Sequence, residues 1–214
     1  VGDPHQKLKY VHITGTNGKG STAAMVASVL AQAGLTVGLY TSPHLWSFHE
    51  RFQVNGVPIS DDALGRIAER VIQAGRGMED PATEFELMTA VGMLYFLEAG
   101  CDLVVLEVGL GGRMDSTNVI PAPEVAVITN IGLEHTRELG DTLAQIATEK
   151  SGILKPGCDA VLYHQSGEVE KVVSDACRRQ GIPLTLTDPE GLRVLGSGRE
   201  GQTFTYRDWG TFHI

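Results

Sequence analysis

The chain has 214 residues, 42% of them hydrophobic, enough for one sizeable core. Seventeen Lys and Arg against 26 Asp and Glu leave a net charge of −9, which argues against a broad nucleic-acid or membrane-surface partner. No apolar run approaches the roughly 20 residues of a membrane span, the polar start Val1-Gly2-Asp3-Pro4-His5 lacks a signal-peptide pattern, and Cys101, Cys158 and Cys177, without CxxC spacing, read as reduced thiols of a cytoplasmic protein.

A short apolar strand over 10–14 runs into Gly15-Thr16-Asn17-Gly18-Lys19-Gly20-Ser21-Thr22, and a helix is expected over 20–33. A Gly-rich turn between strand and helix lets backbone N–H groups surround a phosphate, with Lys19 reaching the terminal phosphates. The spacing departs from the common P-loop. Only Thr16 and Asn17 separate Gly15 from the Gly18-Lys19 pair, and Gly20 rather than Ser or Thr follows Lys19. A Gly-rich turn with no ligand is the alternative.

Further short strands are expected over 36–41, 102–108, 124–131, 159–163 and 183–187, and helices over 61–77, 84–99, 141–151 and 167–180. Ser60-Asp61 and Asp141 read as helix starts, and Gly34 and Gly100 as stops. Leu103-Val104-Val105-Leu106 shows no polar alternation, as in a strand buried on both faces. The alternation implies an α/β fold, a mainly parallel sheet flanked by helices, and the Gly-rich loop after its first strand makes it P-loop NTPase-like. From 192 onward Val194, Phe204, Tyr206 and Phe212, broken by glycines, suggest antiparallel strands. One domain over 1–214 is expected.

In parallel sheets ligands bind beyond the carboxyl ends of the strands. Ser42, Glu107 and His135 fall at three such ends. Glu107 closes an apolar strand, so its carboxylate needs a partner: Mg²⁺ on phosphate oxygens, or a salt bridge to Arg113. His135 is a metal ligand or a helix-cap histidine. Lys150 lies one turn past Ile146, on the inward side of its helix, with a solvated Lys150–Glu149 pair as the bland alternative.

Taken together, these segments resemble the folylpolyglutamate synthase/dihydrofolate synthase family, a branch of the Mur ligases. The motifs are Thr14 to Thr22 (TGTNGKGST), Thr41 to Leu45 (TSPHL) with Glu50-Arg51, Leu106 to Asn118 (LEVGLGGRMDSTN), Ile128 to His135 (ITNIGLEH) and Ile146 to Gly157 (IATEKSGILKPG). They span about residues 8–165 in order. The resemblance implies ATP on Gly15, Thr16, Asn17, Gly18, Lys19, Gly20, Ser21 and Thr22. It implies Mg²⁺ on Ser42, Glu107 and His135, and catalytic roles for Lys19, His135 and Lys150, the last often carbamylated. Glu134 stands where the family more often has Asp.

The implied reaction is ATP-dependent addition of L-glutamate to dihydropteroate, a reduced folate or both, through an acyl phosphate, by a cytoplasmic monomer. The aromatic residues after Ser42, Phe48 and Phe52, are expected either against a pterin ring or in packing. The family's opening segment and C-terminal domain have no counterpart in this sequence, so a truncated ATP-binding domain is expected. A Mur-type ligase for UDP-muropeptides and a catalytically incomplete nucleotide-binding fragment are the alternatives. A P-loop kinase or GTPase is disfavoured by His135, Lys150 and the lack of an Asn-Lys-x-Asp signature.

Overall fold

The computed structural model describes all 214 residues. Its strands are β1 (Tyr10–Thr14), β2 (Val37–Tyr40), β3 (Phe52–Val54), β4 (Val57–Pro58), β5 (Leu103–Glu107), β6 (Val125–Ile128), β7 (Asp159–Leu162), β8 (Leu184–Leu186), β9 (Leu192–Gly198), β10 (Gly201–Tyr206) and β11 (Thr211–His213). Its helices are α1 (Lys19–Gln32), α2 (Asp61–Gly75), α3 (Glu84–Glu98), α4 (Thr136–Leu139), α5 (Leu143–Lys150) and α6 (Gly167–Gln180).

Eight strands form one sheet in the order β4-β3-β2-β5-β1-β6-β7-β8. From β2 to β8 every pairing is parallel. β1 therefore lies between β5 and β6, and the loops leaving all three open on one edge. The chain reverses direction across the sheet at this point, which is where ligands of such folds sit. β1 is buried along its whole length, as strands with helices on both faces are. One core cluster joins the β1–β5 region to α2 and α3, a second lies under α5 and α6, and a third under α1.

The expected α/β architecture is present, with the small antiparallel sheet β11-β10-β9 after it. Two local expectations need correction. The hairpin β3–β4 extends the sheet where none was expected; its strands are too short for visible alternation. Its turn, Asn55-Gly56, has positive φ at both residues (49° and 77°), the hairpin chemistry an Asn-Gly pair supplies. Helix α5 starts at Leu143 and is capped by Thr142, not Asp141. Gln145 decides this, closing a reciprocal capping box with Thr142.

Candidate active site at the strand ends

The Gly-rich loop leaves β1 in a conformation only glycine tolerates at its first position. Gly15 has φ 153°, and a Cβ there would sit 1.7 Å from Thr129 Oγ1. Gly18 takes φ 81° as the residue before α1. The loop is braced from β6. Thr129 Oγ1 donates 2.8 Å to the Asn17 carbonyl, and Asn130 accepts from Thr16 N at 2.7 Å and, through Oδ1, from Asn17 N at 2.9 Å. Thr16 Oγ1 meets Gly132 O and Gly132 N at 3.2 and 3.0 Å. Lys19 folds back over its own loop, donating to Gly15 O (2.9 Å) and Thr16 O (3.1 Å). Gly20, Ser21 and Thr22 form the first turn of α1, whose free N–H groups and dipole favour an anion.

Glu107 ends β5 only 4% exposed. Its carboxylate accepts Ser42 N–H at 2.9 Å. It lies beneath α1: a Cβ on Gly20 would stand 3.4 Å from Glu107 Oε2. Burial pushes the Glu107 carboxyl above its ordinary range, against the pull of the Ser42 amide and the Lys19 charge. Arg113 pairs with Glu149 (3.7 Å), so the salt-bridge alternative for Glu107 is not made. Ser42 and Glu107 are thus brought together. His135 stands on the next loop, after β6, with an exposed ring, a left-handed backbone (φ 44°) and no side-chain cap bond.

Lys150, 1% exposed, points inward. It donates 2.8 Å to Gly15 O and 2.8 Å to Glu134 Oε1, so the solvated pair with Glu149 is not formed. Burial lowers the Lys150 pKa, and Glu134 opposes that fall. Glu134 is itself partly desolvated, which raises it, but the Lys150 bond and charge carry it below the usual carboxylate range. The two downward shifts have different origins: cost of burial for the ammonium, gain of a partner for the carboxylate.

Two cavities open on this edge and a third adjoins the second of them. One of about 510 Å³ adjoins Asn17, Gly18 and Thr22 and runs along β6 to Tyr163. A second, about 470 Å³, is lined by Ser42, Arg51, Phe85, Leu110 and Asp115. The third, about 520 Å³, lies between residues 1–5, α3 and the 113–119 segment and shares Asp115 with the second. Phe52 is fully buried against Tyr40 and Phe48, so it is packing and not a face for a ligand. Sequence reasoning missed the braces Thr129 and Asn130, although a Thr-Asn pair directly after a strand at this edge is a visible signal.

Residues 13–177 match the Mur ligase middle domain. The chain is 43% identical over 189 residues to the dihydrofolate synthase/folylpolyglutamate synthase of Bacillus subtilis, covering 86% of this chain and 44% of that protein. It is 40% identical over 214 residues to the folylpolyglutamate synthase of Lacticaseibacillus casei, covering 97% and 50%. Among solved structures, the FPGS-AMPPCP complex superposes with a TM-score of 0.88 at 40% identity, over 98% of this chain and 54% of that one. The FPGS-AMPPCP-folate complex gives 0.86 at 38%, over 98% and 53%. The chain spans about half the length of these two curated relatives.

Proposed function

Because this chain belongs to the Mur ligase family through its middle domain, in the branch of the folylpolyglutamate and dihydrofolate synthases, we propose that the protein carrying it is an ATP-dependent ligase. It joins L-glutamate to dihydropteroate, a reduced folate or both. The observation that carries the reading is the convergence of a braced Gly-rich loop, the buried Glu107 and the buried Lys150 on one sheet edge.

In this reading residues Gly15 to Thr22 hold the ATP phosphates through loop amides and the α1 N-terminus. Lys19 gives up its two carbonyl bonds and turns its charge to the terminal phosphates. The cavity beside Gly18 takes the nucleoside. The substrate carboxylate attacks the γ-phosphorus and ADP leaves. The amine of L-glutamate then attacks the acyl carbon, phosphate departs, and the amine loses a proton as the amide forms. Chain groups mainly position the reactants and offset charge.

A hard cation fits the Ser42–Glu107 corner. Glu107 is an oxygen donor at a desolvated edge, its raised pKa marking a charge with too few partners, and it lies directly under the phosphate-binding turn. Ser42, Glu107 and His135 are the proposed holders of Mg²⁺. When bound, Mg²⁺ supplies positive charge to the transferring phosphoryl group. Lys150 is the proposed site of carbamylation: burial lowers its pKa, which moves it toward the neutral amine that reaction uses, while the Glu134 carboxylate pulls the other way. A cytoplasmic monomer without nucleic-acid or membrane partners is proposed, in keeping with the −9 charge and with no helix long and apolar enough to cross a membrane.

The test is mass analysis of pterin products after incubating the protein with MgATP, L-glutamate and either dihydropteroate or tetrahydrofolate. Gain of one glutamate supports the ligase, and the acceptor that gains it sets the specificity. No gain on either acceptor overturns the reading; transfer to a UDP-muropeptide instead would move it to another Mur branch.

A further inference from the structure

His12 is fully buried in the middle of β1. Its Nε2 lies 2.9 Å from Oγ1 of Thr117, which is also fully buried. Thr117 donates its hydroxyl to Asp115 Oδ1, which also accepts Thr117 N–H at 3.0 Å. Asp115 Oδ2 accepts Leu110 N–H at 2.8 Å. A hydroxyl has one hydrogen. Here it goes to Asp115, so Nε2–H of His12 donates to Thr117, and Nδ1 carries the lone pair. That Nδ1 is buried without a partner. Burial, aided by the nearby Lys155 charge, lowers His12 to about 3, so the ring is neutral near neutral pH.

A buried nitrogen with no partner weighs against folding. An apolar side chain would fill the same place without it. What the imidazole contributes is one directed N–H at Thr117. The bond series that starts there ends on Leu110, three residues after Glu107. Thr14, two residues along the same face of β1, holds the same loop by donating 2.5 Å to Gly111 O. Asp115 forms part of the wall of both the 470 and the 520 Å³ cavities. Neither shares a lining residue with the cavity beside Gly18.

We propose that His12 is a positioning residue for the acceptor side of the site: through Thr117 it aims the Asp115 carboxylate and sets the turn that follows Glu107. The assignment to the acceptor rests on the ligase reading above. It divides β1 between two tasks. The C-terminal end carries the phosphate loop, and the middle, through His12, shapes the wall for the carboxylate substrate.

The experiment measures initial rates of glutamate addition at varied acceptor and at varied ATP, for wild type, His12→Gln, His12→Leu and Thr117→Val. The Gln amide reaches about as far as Nε2 and keeps a donor to Thr117; Leu keeps none. His12→Leu and Thr117→Val are expected to raise the acceptor KM about ten-fold and to leave the ATP KM within about two-fold. His12→Gln stays within about three-fold of wild type on both substrates. The double variant His12→Leu/Thr117→Val loses no more than either single, as expected for one series of bonds. Equal losses on ATP and acceptor, or His12→Gln no better than His12→Leu, would overturn the proposal. Hydrogen exchange at the Leu110 amide gives a readout independent of turnover. It speeds about ten-fold in His12→Leu and stays near wild type in His12→Gln. Unchanged exchange in His12→Leu overturns the relay whatever the rates show. Absence of glutamate transfer by wild type would sink the ligase reading instead, leaving the exchange result to decide whether His12 sets the loop.

Discussion

Two loops reach over the strand ends from opposite sides of β5, and they are held in different ways. The Gly15–Thr22 loop is fixed from beneath by buried or half-buried groups: Thr129, Asn130 and Lys150. The 42–51 loop stands in water. Leu45 is 86% and Trp46 93% exposed, and the backbone amides of Leu45, Trp46 and Ser47 all converge on one carboxylate, Glu50. Preorganisation is greatest where charge must be met at a fixed place. The tip of the other arm, residues 45–47, is ordered chiefly by the Glu50 carboxylate, while its ends are tied down by Ser42 N–H on Glu107 and by Phe48 against Phe52, so the tip has few buried contacts to lose when it moves.

Replacing Lys19 attacks the first loop at its charge and not at its braces. Lys19→Ala is expected to reduce ATP-dependent turnover by about two to three orders of magnitude and to leave the thermal melt nearly unchanged, because both Lys19 bonds are to its own loop. Turnover at the wild-type rate would remove this loop from the mechanism. Glu107→Gln should likewise lose turnover, by about a hundred-fold or more, with the opposite sign in stability. Burial raises the Glu107 carboxyl, so the folded protein holds that proton more tightly than the unfolded chain does. Ionised Glu107 therefore weighs against folding at neutral pH, and the penalty fades as pH falls through the raised pKa. The Gln variant keeps an acceptor for Ser42 N–H and melts higher than wild type at pH 7. The gap closes in acid. A lower melt at pH 7 would contradict the account of Glu107 as an under-partnered charge.

Lys150→Met keeps the length and removes the charge. It leaves Gly15 O and the Glu134 carboxylate without their shared donor. A cost of roughly 2–3 kcal/mol in unfolding free energy is expected, together with faster exchange in the Gly-rich loop. Denaturant melts and amide exchange check both. A change confined to stability, with the loop unaltered, would show that Lys150 braces the fold and not the phosphate site.

The braced side was also the more legible in the sequence, for a physical reason. Gly15 to Ser21 is contiguous, so loop chemistry is written in order along the chain. Buried strands such as Leu103–Glu107 declare themselves by unbroken apolar character. Lys150 could be placed inward from its spacing to Ile146, because helical periodicity is local. Its partners could not, since Glu134 and Gly15 are 16 and 135 residues away and tertiary packing alone brings them near. The same limit hid the series His12–Thr117–Asp115, whose first link spans 105 residues. On the open side, Phe48 and Phe52 looked equally suited to a ligand or to packing. Burial of Phe52 between Tyr40 and Phe48 assigns it to packing, a fact fixed by how β3 pairs with β2.

The expected effect of Glu50 on global stability is also small, and it sharpens the contrast most. Backbone amides of Leu45 and Ser47 hold the Glu50 carboxyl below its ordinary range. A depressed pKa in the folded state means that the carboxylate's contribution is complete above the ordinary value near 4.5 and is lost as pH falls through the lower folded value. Loop order should therefore survive mild acid that protonates ordinary glutamates. Trp46, four residues from Glu50 and almost wholly exposed, reports on it once the second tryptophan is removed by Trp209→Phe. In that background Trp46 fluorescence anisotropy is expected to stay flat through pH 4.5, where ordinary glutamates take up protons, and to fall only at the lower pH where Glu50 itself is protonated. Glu50→Gln, which cannot offer a charged acceptor to three amides, should show the low anisotropy at every pH, while its melting temperature shifts by less than about 2 °C. High anisotropy in Glu50→Gln would mean that the loop is held by its aromatic contacts, His44 on Phe48 and Phe48 on Phe52, and not by its carboxylate. A large loss of melting temperature would place the 42–51 loop among the braced elements, and the difference between the two arms would disappear.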